Sequence, residues 1–388
     1  MTPVSDPKSI VPHAVATPEG IDSAALVATT GVLAVDLDAL IGNWRKLASR
    51  SVPAECAAVV KADAYGCGLP TVTASLAAAG CKTFFVATLA EARAARAAAK
   101  TATIYVLDGC FVGAAPAFAE TNARPVIGDL AELAEWDAFC KQSGWSGGAA
   151  IHIDTGMNRL GLSIAEAQAL LPRIQSGGHG FTLVMSHLAC AELLDHPMNA
   201  RQVRAFQDIA LAYAGIPASL SNSSGVFLGP QFQFDLMRPG AALYGINPTP
   251  EADNPMQPVI NLKARIVQVR DVDAGASVGY GATWTARRAS RIAVVAAGYA
   301  DGYLRAATGA EVVVAGRRCP LVGRISMDLL AVDVTELPAN AVRRGHMATL
   351  IGDGISVDEL ARHFGTIGYE VLTSIGKRFA RVYRGGSV

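Results

Sequence analysis

The sequence predicts an α/β fold: an N-terminal (β/α)8 barrel of the TIM type followed by a C-terminal, mostly-β domain. Three observations carry that expectation. The chain has 388 residues, more than one hydrophobic core usually serves. From Ala57 onward, short apolar runs alternate with Ala-rich segments of helical period, as strands buried on both faces and joined by crossover helices require. After Tyr244 the texture changes to short, alternating strands.

Residues 1–31 are rich in Pro, Ala, Ser and Thr and lack a continuous apolar stretch ahead of a small-residue cleavage site, so they read as a flexible N-terminal extension. The barrel is assigned to residues 32–250. A strand from Val32 to Asp36 and a helix, "LDALIGNWRKLASR" from Leu37, come first and are expected to pass between the domains or cap them. The eight barrel strands are expected at Ala57 to Val60, Thr83 to Ala87, Thr103 to Leu107, Arg124 to Ile127, Ala149 to Ile153, Thr182 to Ser186, Ala218 to Asn222 and Phe234 to Arg238. Between them, "TLAEARAARAAAK" from Thr88 and "DLAELAEWDAFCKQSG" from Asp129 are dense in helix formers, and the second ends at a Gly stop. The Pro- and Asn-rich "INPTPEADNPMQPV" leads into the β-domain, residues 251–388, with strands in "LKARIVQVR" from Leu262, "IAVVAAG" from Ile292 and "EVVVAG" from Glu311. One helix, "SVDELARHFG", opens on an S-x-x-E box at Ser356 and Glu359 and ends at Gly365.

Composition excludes several classes. The 33 basic side chains are matched by 33 acidic ones, so the electrostatic footprint of nucleic-acid binding is missing. Apolar stretches such as "VLAVDLDALIGNW" from Val32 are interrupted well before the ~18 residues a membrane span needs. The 7 cysteines form no CxxC pair and are odd in number, which argues against a disulfide framework and a zinc site and points to a reducing cytoplasm. No metal is expected.

"AAVVKADAYGCG" sets Lys61 just after a run of buried-strand type, hence at the C-terminal mouth of the barrel, where this fold places its active sites. A lysine partly withdrawn from water has a lowered pKa and becomes a nucleophile, as a Schiff base to an aldehyde cofactor requires. By position alone, a strand-end lysine that merely reaches solvent fits as well.

Lys61, Tyr65, Gly66 and Gly68 form K-x-D-A-Y-G-x-G, which resembles the cofactor-lysine signature of the alanine racemase family, a group of fold-type III pyridoxal enzymes. "IDTGMNRLG" from Ile153, "SNSSG" from Ser221, "MRPGAALYG" from Met237, "VGYGATW" from Val278, "GYADGY" from Gly298 and "GRISMD" from Gly323 appear in the family's order. The likeness runs from about Val32 to Tyr383.

The resemblance implies interconversion of L-alanine and D-alanine on pyridoxal 5'-phosphate, with the D-alanine supplied to peptidoglycan. Lys61 would carry the cofactor and act as one base; Tyr280 would be the other, because racemisation needs a proton removed from one face of the α-carbon and delivered to the opposite one. By the same likeness Lys61 serves the D-alanine side and Tyr280 the L-alanine side. Tyr65, Ser223, the amides of Gly240 and Ala241, and Tyr369 would hold the phosphate end, with Asn222 also binding the cofactor, and a helix start after strand eight suits a dianion independently. Arg238 would meet the pyridine nitrogen. A guanidinium keeps its proton, so the ring becomes a weakened electron sink and the α-carbanion is promptly reprotonated.

Arg159 would contact the cofactor's phenolic oxygen and orient the substrate carboxylate. His187 would bridge Tyr280 and Arg238, since a phenol of pKa ~10 needs such help to act as a base near neutrality. Met327 would offer its backbone amide to the substrate carboxylate, and Tyr299 with Tyr369 would narrow the entrance. In the family Tyr280, Tyr299 and Met327 reach the neighbouring subunit's cofactor, so a head-to-tail homodimer with shared sites is implied. Two departures stand out: His152 replaces a lysine that many members carbamylate, and Glu192 stands where Asp is frequent. Competing readings are a broad-specificity or serine racemase, a decarboxylase of the same fold, which Arg238 opposes, and a non-catalytic cofactor-binding protein.

Overall fold

Eight short parallel strands close into a barrel in the computed structural model, which describes residues 28–386 apart from 179 and 308. The first strand comes in two segments, Glu55–Cys56 and Ala58–Val59; the others are Thr83–Val86, Thr103–Val106, Arg124–Ile127, Ala149–His152, Phe181–Met185, Ala218–Ser219 and Leu236–Met237. Each lies where its apolar run predicts, within a few residues. The ladder runs in parallel from Ala58 against Phe84 to Val184 against Ala218. The seventh and eighth strands are linked by Arg238 N donating to Ser221 O at 2.9 Å. Closure comes from Leu236 and Met237 pairing in parallel with Glu55 and Cys56. Phe84, Phe85, Ile104, Ala150 and Ile151 are fully buried, which explains why these strands read as continuous apolar runs rather than alternating ones.

Helices Leu89–Ala98 and Leu130–Ser143 follow the second and fourth strands. Thr88 and Glu91 form a reciprocal capping box at the first, and Gly144, in the left-handed region with φ 72°, ends the second. No α-helix follows strand eight, only the 3-10 turn Ala241–Tyr244. Helix Leu37–Ser51 fills that place: Trp44 Nε1 donates to Cys56 O at 3.1 Å, and Asn43 Nδ2 donates to Leu243 O at 3.2 Å and Gln257 O at 2.9 Å. The strand and helix that precede the barrel run from one of the chain's two units into the other at Leu33 and Ala34, and the helix packs on the barrel. Its buried Leu37, Leu40 and Leu47 need an apolar wall, and the barrel offers one where its last unit lacks a helix.

The chain forms two compact units. One comprises Ala34–Asn261 and Ile351–Ile375 with the chain from Tyr383; the other is built on Leu262–Leu350 and Gly376–Val382 with the strand residues up to Leu33. Helices Val357–Phe364 and Gly368–Ser374 group with the barrel unit. A second sheet, most of whose residues fall in the other unit, runs in the order Ser290–Val295, Leu330–Asp333, Arg317–Val322, Glu311–Val314, Met347–Ile351, Ile260–Val272, Gly31–Asp36, Ala380–Arg384; Ile260–Val272 also pairs with Ser290–Val295, so the first six close a ring. Of the expected N-terminal extension, residues 1–27 lie outside the described residues. Among the described residues no helix is long and apolar enough to cross a membrane.

Asn43 is 1% exposed, and its Oδ1 also accepts from Gln257 N at 2.8 Å. Asn43→Leu keeps the shape but strands one amide and two carbonyls, so urea denaturation should show a loss of about 3 kcal/mol; an unchanged midpoint would refute this account of the helix's docking.

Candidate active site

Lys61 follows the first strand directly, and what comes next is unusual. Ala62, Asp63, Ala64 and Tyr65 all have φ of 53° or 54°, a left-handed turn made without glycine. Such a conformation costs roughly 1–2 kcal/mol per residue, because Cβ crowds the following carbonyl oxygen. The turn is held from several sides: Gly66 N donates to Ala62 O at 2.9 Å, Leu69 N to Asp63 Oδ1 at 2.8 Å, and Ala62 N to Glu91 Oε1 at 2.6 Å. Strain of this kind collects at functional sites, where surrounding contacts outweigh it.

At the far end of the turn, Tyr65 is buried and stacks on Tyr244, with ring centroids 4.6 Å apart. A Cβ on Gly240 would stand 2.3 Å from Tyr65 Oη, so only glycine lets the loop after strand eight approach this phenol. Ser223 Oγ accepts from Gly240 N at 2.9 Å and Ala242 N at 3.1 Å, tying the loops after strands seven and eight into one cradle of hydroxyls and amides.

Arg238 is 3% exposed, and none of its hydrogen bonds goes to a carboxylate. Its guanidinium bonds Ser219 Oγ, Ser186 O and Leu220 O, and lies 3.4 Å from His187 Nδ1. Burial lowers its pKa to about 9, which still leaves the group protonated at neutrality. His187 is held well below the ordinary imidazole value by burial and then by the Arg238 and Arg159 charges, so it is neutral. An Nδ1 facing Arg238 as acceptor places the proton on Nε2. The backbone of His187 is fixed by the fully buried Gln202, which donates to His187 O at 2.8 Å and accepts from Ala189 N at 2.9 Å.

Lys61, Tyr65, Arg159, His187, Asn222, Ser223, Arg238, Gly240, Ala241 and Tyr369 line a single cavity of about 660 Å³, together with Phe85, Met185 and His152. They come from the ends of five strands, the first and the fifth to eighth, and from the helix Gly368–Ser374, so the fold gathers ten of the expected residues at the barrel's C-terminal mouth. Tyr280, Tyr299 and Met327 belong to the other unit, where they are 70%, 42% and 53% exposed. There Tyr299 N donates to Ser326 O at 3.1 Å and Ala300 N to Met327 O at 3.0 Å, which joins the Tyr299 and Met327 loops. Glu192 is exposed; burial first, and then the Glu192 and Asp358 charges, raise the Tyr369 phenol. Sequence reasoning passed over Glu91 and Gln202. For Glu91 a signal existed, since "TLAE" has the T-x-x-E spacing of a capping box. For Gln202 there was none, as a glutamine on a helix reveals nothing of its burial.

The donor set suits an aldehyde cofactor bearing a phosphate and a ring nitrogen. A lysine amine, a cradle of hydroxyls and amides, and a buried cation without a carboxylate all face one space of sufficient size. The fold and this cavity together define a barrel enzyme of the class that holds such a cofactor on a lysine. Comparison with known proteins narrows the class. Residues 35–248 match the family model for the alanine racemase N-terminal domain and residues 259–383 that for the alanine racemase C-terminal domain, so the chain belongs to the alanine racemase family. It is 52% identical over 356 residues to an alanine racemase of Methylobacterium nodulans, covering 92% of this chain and 96% of that one. An Agrobacterium fabrum protein named alanine racemase, biosynthetic, is 44% identical, covering 90% of this chain and 93% of that one. The crystal structure of the Bartonella henselae alanine racemase with covalently bound pyridoxal phosphate superposes with a TM-score of 0.87 at 36% identity, covering 92% of this chain and 99% of that one.

His152 ends the fifth strand inside the cavity wall. Burial, then the Arg238 charge, partly offset by Asp154, lowers its pKa from 6.5 to about 4. Between these values the unfolded chain binds the extra proton and the folded chain does not, so this contribution to stability is complete above pH 6.5 and is lost as the pH falls toward 4. Urea denaturation at pH 7.5 and pH 5 should show His152→Gln losing about 2 kcal/mol less on acidification than the wild type. Identical pH slopes would contradict a neutral, buried His152.

Proposed function

We propose that this chain interconverts L-alanine and D-alanine with pyridoxal 5'-phosphate on Lys61, as a cytoplasmic homodimer whose D-alanine enters peptidoglycan. The observation that carries the reading is Arg238: a fully buried guanidinium without a carboxylate partner, in the cavity that Lys61 lines. When bound, pyridoxal phosphate withdraws electrons from the amino acid's Cα–H bond and makes that hydrogen acidic.

The chain's own groups do the rest. Ser223, Asn222, Tyr65, Tyr369 and the amides of Gly240 and Ala241 hold the phosphate end, where amides at the start of a helical turn favour an anion. Arg238 donates to the ring nitrogen and keeps its proton, which limits charge build-up in the ring and disfavours competing chemistry such as decarboxylation. Arg159 faces the substrate carboxylate. Its loop is fixed by Asp154, whose carboxylate accepts from Gly156 N at 2.8 Å, Met157 N at 2.9 Å and Asn158 N at 2.9 Å.

Tyr280 of the partner subunit exchanges a proton on the L-alanine side and Lys61 Nζ on the D-alanine side, an assignment taken from the family resemblance. One proton leaves the α-carbon and another arrives on its opposite face, so the reaction is balanced without a co-reactant. A free phenol titrates near 10, too high for an efficient base at neutrality. The Nε2–H of His187, polarised by Arg238 behind it, lowers that barrier by donating to the phenol oxygen. The exposure of Tyr280, Met327 and Tyr299 supports their use across a subunit interface, where Met327 presents its amide to the substrate carboxylate and Tyr299 narrows the entrance.

Incubation with L-alanine and pyridoxal phosphate in deuterated water should give D-alanine with deuterium at the α-carbon. Lys61→Ala should be inactive and Tyr280→Phe reduced by about 10²–10⁴-fold, the range for a general acid–base group. Cofactor binding without D-alanine, or carbon dioxide release, would overturn the reading, while faster turnover of serine would relocate its substrate. A deletion strain that grows without added D-alanine would remove the peptidoglycan role.

A further inference from the structure

We propose that Glu91 is a positioning residue for Lys61: its carboxylate clamps the left-handed turn that follows the lysine and so fixes the direction in which the amine points. The proposal rests on Lys61 carrying the cofactor and concerns how the backbone presents it.

Glu91 lies in the first turn of the helix after strand two, yet it serves two loops. Oε2 accepts from Ala87 N at 2.9 Å and Thr88 N at 3.3 Å, its own helix entrance, whereas Oε1 accepts from Ala62 N at 2.6 Å and Asp63 N at 3.4 Å. Those last two amides begin the left-handed turn, and the first amides of any helical turn lack acceptors within it. A carboxylate is a strong acceptor for them.

The peptide between Lys61 and Ala62 is thereby held next to the root of the lysine side chain. At the other end of the turn Tyr65 is fixed by its stack on Tyr244 and its close approach to Gly240. One strained segment thus sets the amine and the phosphate-end phenol together. Without Glu91, four consecutive non-glycine residues at positive φ lose their only carboxylate from another segment of chain among the hydrogen bonds described. The turn then relaxes toward right-handed or extended backbone, which swings the lysine away. Only the Thr88 half of the capping box, Oγ1 accepting from Glu91 N at 3.3 Å, does not use the carboxylate, so the cap can be weakened there without touching the bonds to Ala62 and Asp63.

The test is the rate at which full-length apoprotein forms a Schiff base with pyridoxal phosphate, followed by absorbance, borohydride reduction and peptide mapping, with folding checked by thermal unfolding. Glu91→Ala should slow modification of Lys61 about tenfold relative to wild type, the factor that corresponds to losing one ordinary charge-assisted hydrogen bond. Thr88→Ala, which weakens the helix cap alone, should stay within about twofold. Adding Ala62→Gly and Ala64→Gly to Glu91→Ala should recover part of the rate, since glycine adopts positive φ without a Cβ penalty and neither side chain bonds within the turn. Equal rates in wild type and Glu91→Ala, a Thr88→Ala defect as large as that of Glu91→Ala, or no recovery with the glycine pair would each overturn the proposal. If wild type itself is not modified at Lys61, the assignment of the cofactor lysine fails first and takes this inference with it.

Discussion

The parallel pairing of Leu236 and Met237 with Glu55 and Cys56 is the constraint on which the site depends. Lys61 lies just beyond the end of the first strand and Arg238 just beyond the eighth, so only closure of the ring brings them to one mouth. The neighbouring bonds, Val59 N to Pro239 O at 3.0 Å and Tyr244 Oη to Val59 O at 3.1 Å, carry the join up to the cradle itself. Gly240 then reaches Tyr65 because no Cβ stands between them. The anion-binding end and the nucleophile are thus two products of a single seam.

Around that seam the electrostatics are set by burial. Arg238 and His187 are both withdrawn from water, and each is pushed toward its neutral form. The consequences differ because the starting points differ: a guanidinium lowered to about 9 still carries its charge at neutrality, whereas an imidazole pushed down from 6.5 does not. A permanent cation behind a neutral hydrogen-bond donor suits a site that must move protons without storing charge. His152 extends the same logic, keeping the wall beside Arg159 uncharged where a lysine carbamate would add a negative group.

The barrel strands were legible because burial on both faces leaves no choice of residue; "TFFV" and "AAIH" can be little else. The helix ends were legible where Gly144 and Gly365 adopt the left-handed region. Ten of the residues that motifs rather than periodicity singled out line one cavity. The conformation of Ala62 to Tyr65 was not legible. Alanine is the best helix former, so local propensity points to the right-handed form, and the opposite hand is imposed by partners distant in sequence, Glu91 and Tyr244. The lodging of helix Leu37–Ser51 on the barrel wall was hidden for a similar reason, since its apolar face fits any apolar surface and only Trp44 and Asn43 specify which.

The strand Gly31–Asp36 lies between Ile260–Val272 and Ala380–Arg384 in its sheet. On the ribosome it therefore emerges early and has neither neighbour until about 220 residues later. At about 5–20 residues per second that is roughly 10–45 s with both hydrogen-bonding edges open. All eight barrel strands are synthesised in that interval, so they can begin to pair while an apolar strand ahead of them is still unpaired. Such an edge invites pairing with other chains. Native yield is thus open to the conditions of synthesis during this window as well as to the stability of the finished molecule.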